Sequence, residues 1–383
     1  MALALPLLWA GRARADDCPA TATAPIYGSG GSATKPLIAK VATQLANAPT
    51  PITVFYASPG ACVGVNALFG PTPITGTVSW WNTAGVEQTC TVPQATPHAS
   101  DFASSGNSAI ACPGIASIPT GIADFLGPVN FFSLIVPKAS SQLSISAEAA
   151  YFVWGFGQQG QAAPWVDESQ LFRRDENSAA QLFISLNTGV PATKFKGIDT
   201  KTNQGTITAV AGASKPEAAL GLVSGELADA NRSTVRALAF QAKGQSCGYF
   251  ADSTETAFDK KYVRDGHYAI WSPLHFFTHV GGDGKPSNAN VARFFNLFTA
   301  ATPDPEGIDI LAAEIKSGTI PKCAMNVWRE TDTGPISKLV PDAPCGCFFD
   351  KTATGTTTCA ACTDSSTCSS ASPVCRHGFC EAR

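Results

Sequence analysis

A glycine–serine loop that runs directly into an amphipathic helix is the feature that most restricts how this chain can fold. The stretch Gly28-Ser29-Gly30-Gly31-Ser32-Ala33-Thr34-Lys35-Pro36 precedes Leu37, Ile38, Val41, Ala42 and Leu45. Those five apolar residues share one helical face, and Pro36 suits a first turn, where a backbone N–H has no partner to lose. Glycines let N–H groups crowd around a ligand, and a helix N-terminus adds unpaired donors and partial positive charge. The loop is therefore a candidate anion cradle, with a plain cap and turn as the alternative.

The same plan recurs downstream. Residues 51–56 are β-rich and lead through Gly60-Ala61-Cys62 into a short helix over 63–69, while 73–81 and 86–92 alternate apolar with polar residues across Asn82-Thr83-Ala84-Gly85 and read as a hairpin. A third loop of small hydroxyl residues spans 99–108 and includes Ser104 and Ser105. Residues 128–137 form a strongly apolar strand, and 147–156 a helix capped by Ser144 or Ser146 with Glu148 in its first turn. A fourth loop, Arg173-Arg174-Asp175-Glu176-Asn177-Ser178, enters a helix over 179–186 that starts at Ala179, with Asn177 or Ser178 as its cap. Arg173 offers a rigid fork of donors for a tetrahedral oxyanion and Asp175 is placed to orient it; the competing reading is a solvated charge cluster. Further on, Ser214 and Glu217 form a capping-box pair that predicts a helix over 216–223. Residues 234–240 and 268–271 read as strands, and 288–299 and 307–317 as helices. Strand, loop and helix in alternation predict an α/β fold with ligands at the loops beyond the strand ends.

Thirteen cysteines place the chain outside the reducing cytoplasm. Cys18, Cys62, Cys90, Cys112, Cys247 and Cys323 lie in the body, and Cys345, Cys347, Cys359, Cys362, Cys368, Cys375 and Cys380 crowd the end. All are disulfide candidates, and the odd count leaves one thiol over or one intermolecular bridge. The Cys359-x-x-Cys362 spacing also admits zinc, although export argues for bridges. Residues 1–15 read as a signal peptide, with an apolar run over 2–10 and Ala13-Arg14-Ala15 ahead of the cleavage point. With 383 residues and a net charge of -3 and no basic stripe, the sequence argues for two ordinary domains and against nucleic acid as a partner.

Taken together, Gly28-Ser29-Gly30-Gly31-Ser32-Ala33, Tyr56 with Gly60-Ala61-Cys62-Val63-Gly64, Asp101-Phe102-Ala103-Ser104-Ser105 and Arg173-Arg174-Asp175-Glu176-Asn177-Ser178-Ala179 resemble the phosphate-binding proteins of bacterial ABC transporters, which are type II periplasmic binding proteins. The resemblance covers roughly residues 20–335. It implies an α/β, two-lobed fold with a hinge, lobe I over 16–120 and 271–335 and lobe II over 121–270, followed by a small disulfide-rich module over 345–383. It further implies dehydrated phosphate clasped by Gly31, Ser32, Ala33, Ala61, Cys62, Ser104, Ser105, Arg173, Asp175, Asn177, Ser178 and Ala179, and an ABC permease as a further partner. Ser32 matches the family's first-helix hydroxyl, and Arg173 and Asp175 match its Arg-x-Asp. Ala61 stands where serine is usual, Asn177-Ser178-Ala179 replaces Ser-Gly-Thr, and Ser105-Gly106 ends a motif whose acceptor aspartate is missing. Loss of that aspartate removes the means of rejecting fully deprotonated oxyanions.

Other chemistry is sparse. His275-x-x-x-His279 has helical metal spacing, but neighbouring Phe276 and Phe277 favour packed or surface histidines, and no Gly-x-Ser-x-Gly elbow is present. Trp80 and Trp81 suit either a sugar platform or hairpin packing. The sequence reading is thus a monomeric, non-enzymatic, exported binding protein for phosphate or a similar oxyanion, without cofactor or metal. The alternative is an extracellular binding or adhesion protein that reuses the fold, meeting a partner through the hairpin and the cysteine-rich tail.

Overall fold

The computed structural model describes residues 17–299 and 304–382, so the predicted signal peptide lies outside the described residues. Eleven strands form one mixed sheet: β1 (Ile26–Gly30), β2 (Val54–Ala57), β3 (Gly76–Trp81), β4 (Glu87–Val92), β5 (Phe102–Ser105), β6 (Ile122–Pro137), β7 (Leu171–Arg173), β8 (Ile198–Asp199), β9 (Leu220–Ser224), β10 (Val235–Ala237) and β11 (Trp271–His279). Their spatial order is β4-β3-β2-β1-β5-β11-β6-β9-β7-β8, with β10 also on β6. The helices that cover it are α1 (Lys35–Ala46), α2 (Ala61–Phe69), α3 (Ala147–Phe156), α4 (Ala179–Thr188), α5 (Asn203–Ala211), α6 (Gly225–Ala230), α7 (Ala289–Thr299) and α8 (Leu311–Lys316).

The sequence pattern explains the first half directly. All five apolar residues of the α1 face are buried, and Pro36 sits in its first turn. β1 pairs in parallel with β2 and β5. α2 lies so close to β1 that a Cβ on Gly64 would stand 2.4 Å from Gly30 Cα, which only glycine at that position allows. The β3–β4 hairpin forms as predicted and is tied down by Cys18–Cys90. Trp81 is buried in the core of this half and Trp80 packs beside Phe55, so the hairpin tryptophans serve packing.

Two strands connect the halves. β6 pairs antiparallel with β11 from Ile122↔His279 to Trp271↔Phe131, then with β9 and β10. The helix expected over 216–223 is instead a 3₁₀ turn, Pro216–Ala218, followed by β9. Glu217 does not reach back to cap a helix: its carboxylate accepts from the Ser141 N–H at 2.7 Å and from Ser140, Ser141 and Gln142 side chains. The Leu-Gly-Leu-Val run after it is buried in the sheet, as suits a strand covered on both faces.

His275 and His279 lie on β11, so their spacing is that of a strand and the helical metal reading is corrected. His275 is buried between two carboxylates, with Nδ1 2.7 Å from Asp124 and Nε2 3.2 Å from Asp332. Asp332 also accepts from the Ser272 hydroxyl and the Ser108 N–H. This cluster stitches β6, β11, the third loop and the 329–332 segment together.

The tail is seated on the body. A further helix, α9 (Gly346–Thr354), opens the module, and a small hairpin, β12 (Val374–Arg376) with β13 (Phe379–Glu381), closes it. Cys323–Cys345 ties it to the body, and Cys347–Cys359, Cys362–Cys375 and Cys368–Cys380 hold it internally. Cys359 and Cys362 thus enter separate bridges, which overturns the zinc reading of their spacing. Cys62 pairs with Cys112, and Cys247 is the exposed, unpaired thirteenth cysteine. Phe349 of α9 is 1% exposed and joins the main hydrophobic core, a burial that contributes roughly 2 kcal/mol. Arg264 fixes the seat: it pairs with Asp350 at 2.5 Å, donates to the Ala324 carbonyl at 2.8 Å and lies over the Phe349 ring.

Two expectations follow. Burial pushes the His275 pKa down, but the hydrogen bonds and charges of Asp124 and Asp332 outweigh it and raise the group from 6.5 to about 9. A raised pKa means that the folded state binds the proton more tightly; this stabilisation is complete below pH 6.5 and lost as the pH rises through about 9, on the order of 3 kcal/mol. Urea unfolding of wild type and His275→Gln should converge across that window, and a constant difference would contradict the ion cluster. Separately, Cys323→Ser with Cys345→Ser opens a bridge between residues 22 apart and should cost about 3 kcal/mol in chain entropy. Denaturation midpoints with proteolysis of the tail read this out.

Candidate ligand site between the halves

Three hydroxyls shape the first loop. Thr34 Oγ1, Tyr56 OH and Ser104 Oγ lie 2.8 Å from one another, and the Gly31 carbonyl accepts from the first two at 2.8 and 2.9 Å. The Gly31 N–H donates to the Ser104 carbonyl. The residues 31–34 are thereby pinned, and Gly31, Ser32 and Ala33 lead into the α1 N-terminus. Burial pushes the Tyr56 phenol well up, which keeps it a neutral hydrogen-bonding group. Ser104 is fully buried and its hydroxyl is committed to this lock. Ser105 is likewise buried, its hydroxyl donating to Asn107 Oδ1. The expected hydroxyl contributions of Ser104 and Ser105 are therefore corrected: both side chains shape the loop.

The starts of two further helices arrive at the same place. Gly60, at φ +132°, turns the chain into α2, and Ala61 lies against Gly31, whose added Cβ would stand 3.5 Å from the alanine methyl. Cys62 is spent in its disulfide, and its backbone N–H donates to the Asn177 carbonyl across the gap at 3.2 Å. On the far side Asp175 Oδ1 accepts from the Asn177 N–H at 2.9 Å, and its carbonyl accepts from the Ser178 N–H. This turn presents Ser178 and Ala179 at the start of α4; Ser178 stands at the cap position but makes no side-chain capping bond. A Cβ on Gly106 would be 3.0 Å from that of Ala179 and 2.8 Å from Asn130 Nδ2. Gly31, Ala61, Cys62, Asn177, Ala179 and the 104–107 loop thus lie together. Each helix end carries about half a unit of positive charge, so the region favours an anion.

The arginines are arranged otherwise than expected. Arg173 donates to the carbonyls of Gly197 and Arg174, while Asp175 braces the turn into α4, so the predicted orientation of Arg173 by Asp175 is not what the structure holds. Nor is the run a solvated cluster, because Arg174 is 6% exposed. Arg174 bonds Asn203 Oδ1 at 2.6 Å and the Lys201 carbonyl, and burial pulls its pKa down against the charges of Asp175 and Asp199. Asn203 in turn reaches Ser224 at 3.2 Å and Ser32 at 3.5 Å, and Ser224 donates to Glu226. Burial, opposed by that Ser224 bond, raises Glu226 to about 7.

Sequence reasoning missed Asn107, Asn130, Arg174 and Asn203. Asn107 and Asn130 are at most 3% exposed, yet Asn107 Nδ2 and both polar side-chain atoms of Asn130 find no partner among the described residues. The one available signal was a polar residue inside the apolar run of 128–137. Beside this region, Ser32 and Asn203 border a cavity of about 790 Å³.

No family model matches the sequence, and no curated protein is similar to it. Among solved structures, a protein assigned as a phosphate ABC transporter substrate-binding protein, with bound phosphate, from Clostridium perfringens is 13% identical; the match covers 78% of this chain and 99% of that one at a TM-score of 0.51. An ABC-type phosphate transport receptor from Vibrio cholerae is 12% identical over 77% of this chain and 99% of that one, at 0.49. At such identity the likeness is one of fold. The chain has a mixed α/β, two-lobed fold like that of the periplasmic binding proteins, with a disulfide-bonded C-terminal region added to it.

Proposed function

We propose that this is an exported, monomeric, non-enzymatic solute-binding protein that captures an oxyanion, with phosphate the first candidate, between lobe I (16–120 and 271–335) and lobe II (121–270). The observation that carries the reading is the pair of buried, unpartnered asparagines, Asn107 and Asn130, beside the N-terminus of α4. Buried amides left without partners cost stability, and a ligand that accepts from their N–H groups removes that cost. Neutral amides do not distinguish protonated from fully ionised oxyanions as a carboxylate does, so the selectivity is broader than for phosphate alone. The six disulfides support a periplasmic or cell-surface location. An ABC permease is the partner that an uptake role would require.

One observation favours the second reading, a binding or adhesion protein that keeps the fold without the anion. The Cys62 N–H, a donor at a helix start, is taken by the Asn177 carbonyl of the facing lobe. The two readings separate in a melting scan of phosphate-free protein with phosphate, sulfate or arsenate added. A ligand bound only to the folded state at ~100 times its dissociation constant adds about 2.7 kcal/mol. Asn130→Leu should raise the ligand-free midpoint, by about 1 kcal/mol, while abolishing the anion-dependent rise; Ser32→Asp and Arg173→Ala should weaken it. No rise with any of the three anions would overturn the first reading.

A further inference from the structure

Glu314 of α8 is a buried carboxylate, 6% exposed, for which the fold provides no cation. Its backbone carbonyl accepts from the Ser317 and Thr319 hydroxyls at 2.6 and 3.0 Å, while its side-chain oxygens take no hydrogen bond among the described residues. Those oxygens are not sealed off as the Asn130 amide is, so the small open part of the residue meets the cleft that Glu314 lines. Burial, with the Asp309 charge adding to it, pushes the Glu314 pKa well above the ordinary carboxylate range. A buried carboxylate is costly to ionise alone, and a cation beside it removes that cost.

The cleft has a volume of about 480 Å³, in the range of sites for small organic molecules. Its open carbon surface comes from Ile308 and Leu311, both partly buried, backed by Leu297 and Phe298 at 8 and 7% exposed. The other charged groups that line it are committed elsewhere. Asp304 pairs with Arg293 at 2.9 Å, the Lys322 ammonium lies over the Trp328 ring at 4.5 Å, and the His377 ring packs on Phe348 at 5.0 Å. Asp309 accepts from the Leu311 N–H at 2.8 Å and, like Glu314, has no cation partner among the described residues. Two carboxylates close enough for one to act on the other thus leave unbalanced negative charge beside carbon walls.

We infer that this cleft is a second ligand site, for an organic cation: a primary ammonium donates to Glu314 with Asp309 near, and its carbon portion lies against Ile308 and Leu311. None of these residues belongs to the loops of the anion region, so the two sites are independent. An ammonium brings three donors to the carboxylate in bonds stronger than neutral ones. A neutral molecule leaves the charge unbalanced, and a hard metal ion requires six or more oxygens, which this carbon-rich cleft does not supply.

Phenethylamine is the probe, compared by calorimetry and melting with the neutral phenylethanol. The full oxidised chain should bind the amine about tenfold or more tighter than the alcohol. Binding of the amine, and not of the alcohol, should release a proton as Glu314 ionises, which titrations in two buffers of different ionisation enthalpy read out. Glu314→Gln should raise the ligand-free melting point and bring the amine down to the level of the alcohol. Asp309→Asn, at an exposed position, should cut the amine's advantage severalfold and serves as the test should Glu314→Gln lower the ligand-free melting point. Phenylethanol binding as tightly as the amine, an amine affinity unchanged in both variants, or no binding of the amine overturns the inference. Phosphate-dependent melting is read separately in the same proteins, so each of these results leaves the oxyanion reading standing.

Discussion

The pairing of β6 with β11 is the constraint on which the rest of this structure depends. One strand of 16 residues runs through both halves of the sheet, bonded to β11 along its first part and to β9 and β10 along its second. From Gly127 to Pro137 every residue is buried. A strand covered on both faces must be almost wholly apolar, so the polar residues it does carry are conspicuous. Asp124 binds the histidine that fastens β11, and Asn130 is buried beside Gly106 with its amide unpartnered.

That space draws its character from backbone more than from side chains. The starts of α2 and α4 and the loop ahead of α1 converge from opposite sides, and hydroxyls that look like ligands in the sequence are used to hold these loops still. Thr34, Tyr56 and Ser104 form a closed set around one carbonyl, and Asp175 braces the turn into α4. A site assembled from N–H groups tolerates the loss of individual side chains, such as the alanines at 61 and 179, because each residue retains its donor.

The cysteine-rich region is continuous with the body in a physical sense. Its disulfides supply what a segment with so few aliphatic residues cannot obtain from a core of its own. Phe349 nevertheless enters the main core, and the backbone N–H groups of Cys347 and Phe348 are capped by Glu381 from the far end of the module. A region docked in this way also lines the cavity beside Ser32, through Thr352 and Ala353.

The sequence by itself determined the local elements and the chemical setting. The α1 face, the β3–β4 hairpin, the Ser146 cap of α3 and the apolar run of β6 are set by neighbours within a few residues, where periodicity and capping act. The cysteine count gave the bridges, though not their partners. Only the tertiary structure decided which polar groups meet. Glu217 was drawn from a capping box to a turn 75 to 77 residues earlier, and His275 to Asp124 and Asp332, 151 and 57 residues away. Arg174 rather than Arg173 was buried, because Asn203 and the Lys201 carbonyl offered partners in the interior. A charged or polar side chain is committed by whatever lies within about 3 Å of it once the chain has closed, and no local pattern encodes that distance.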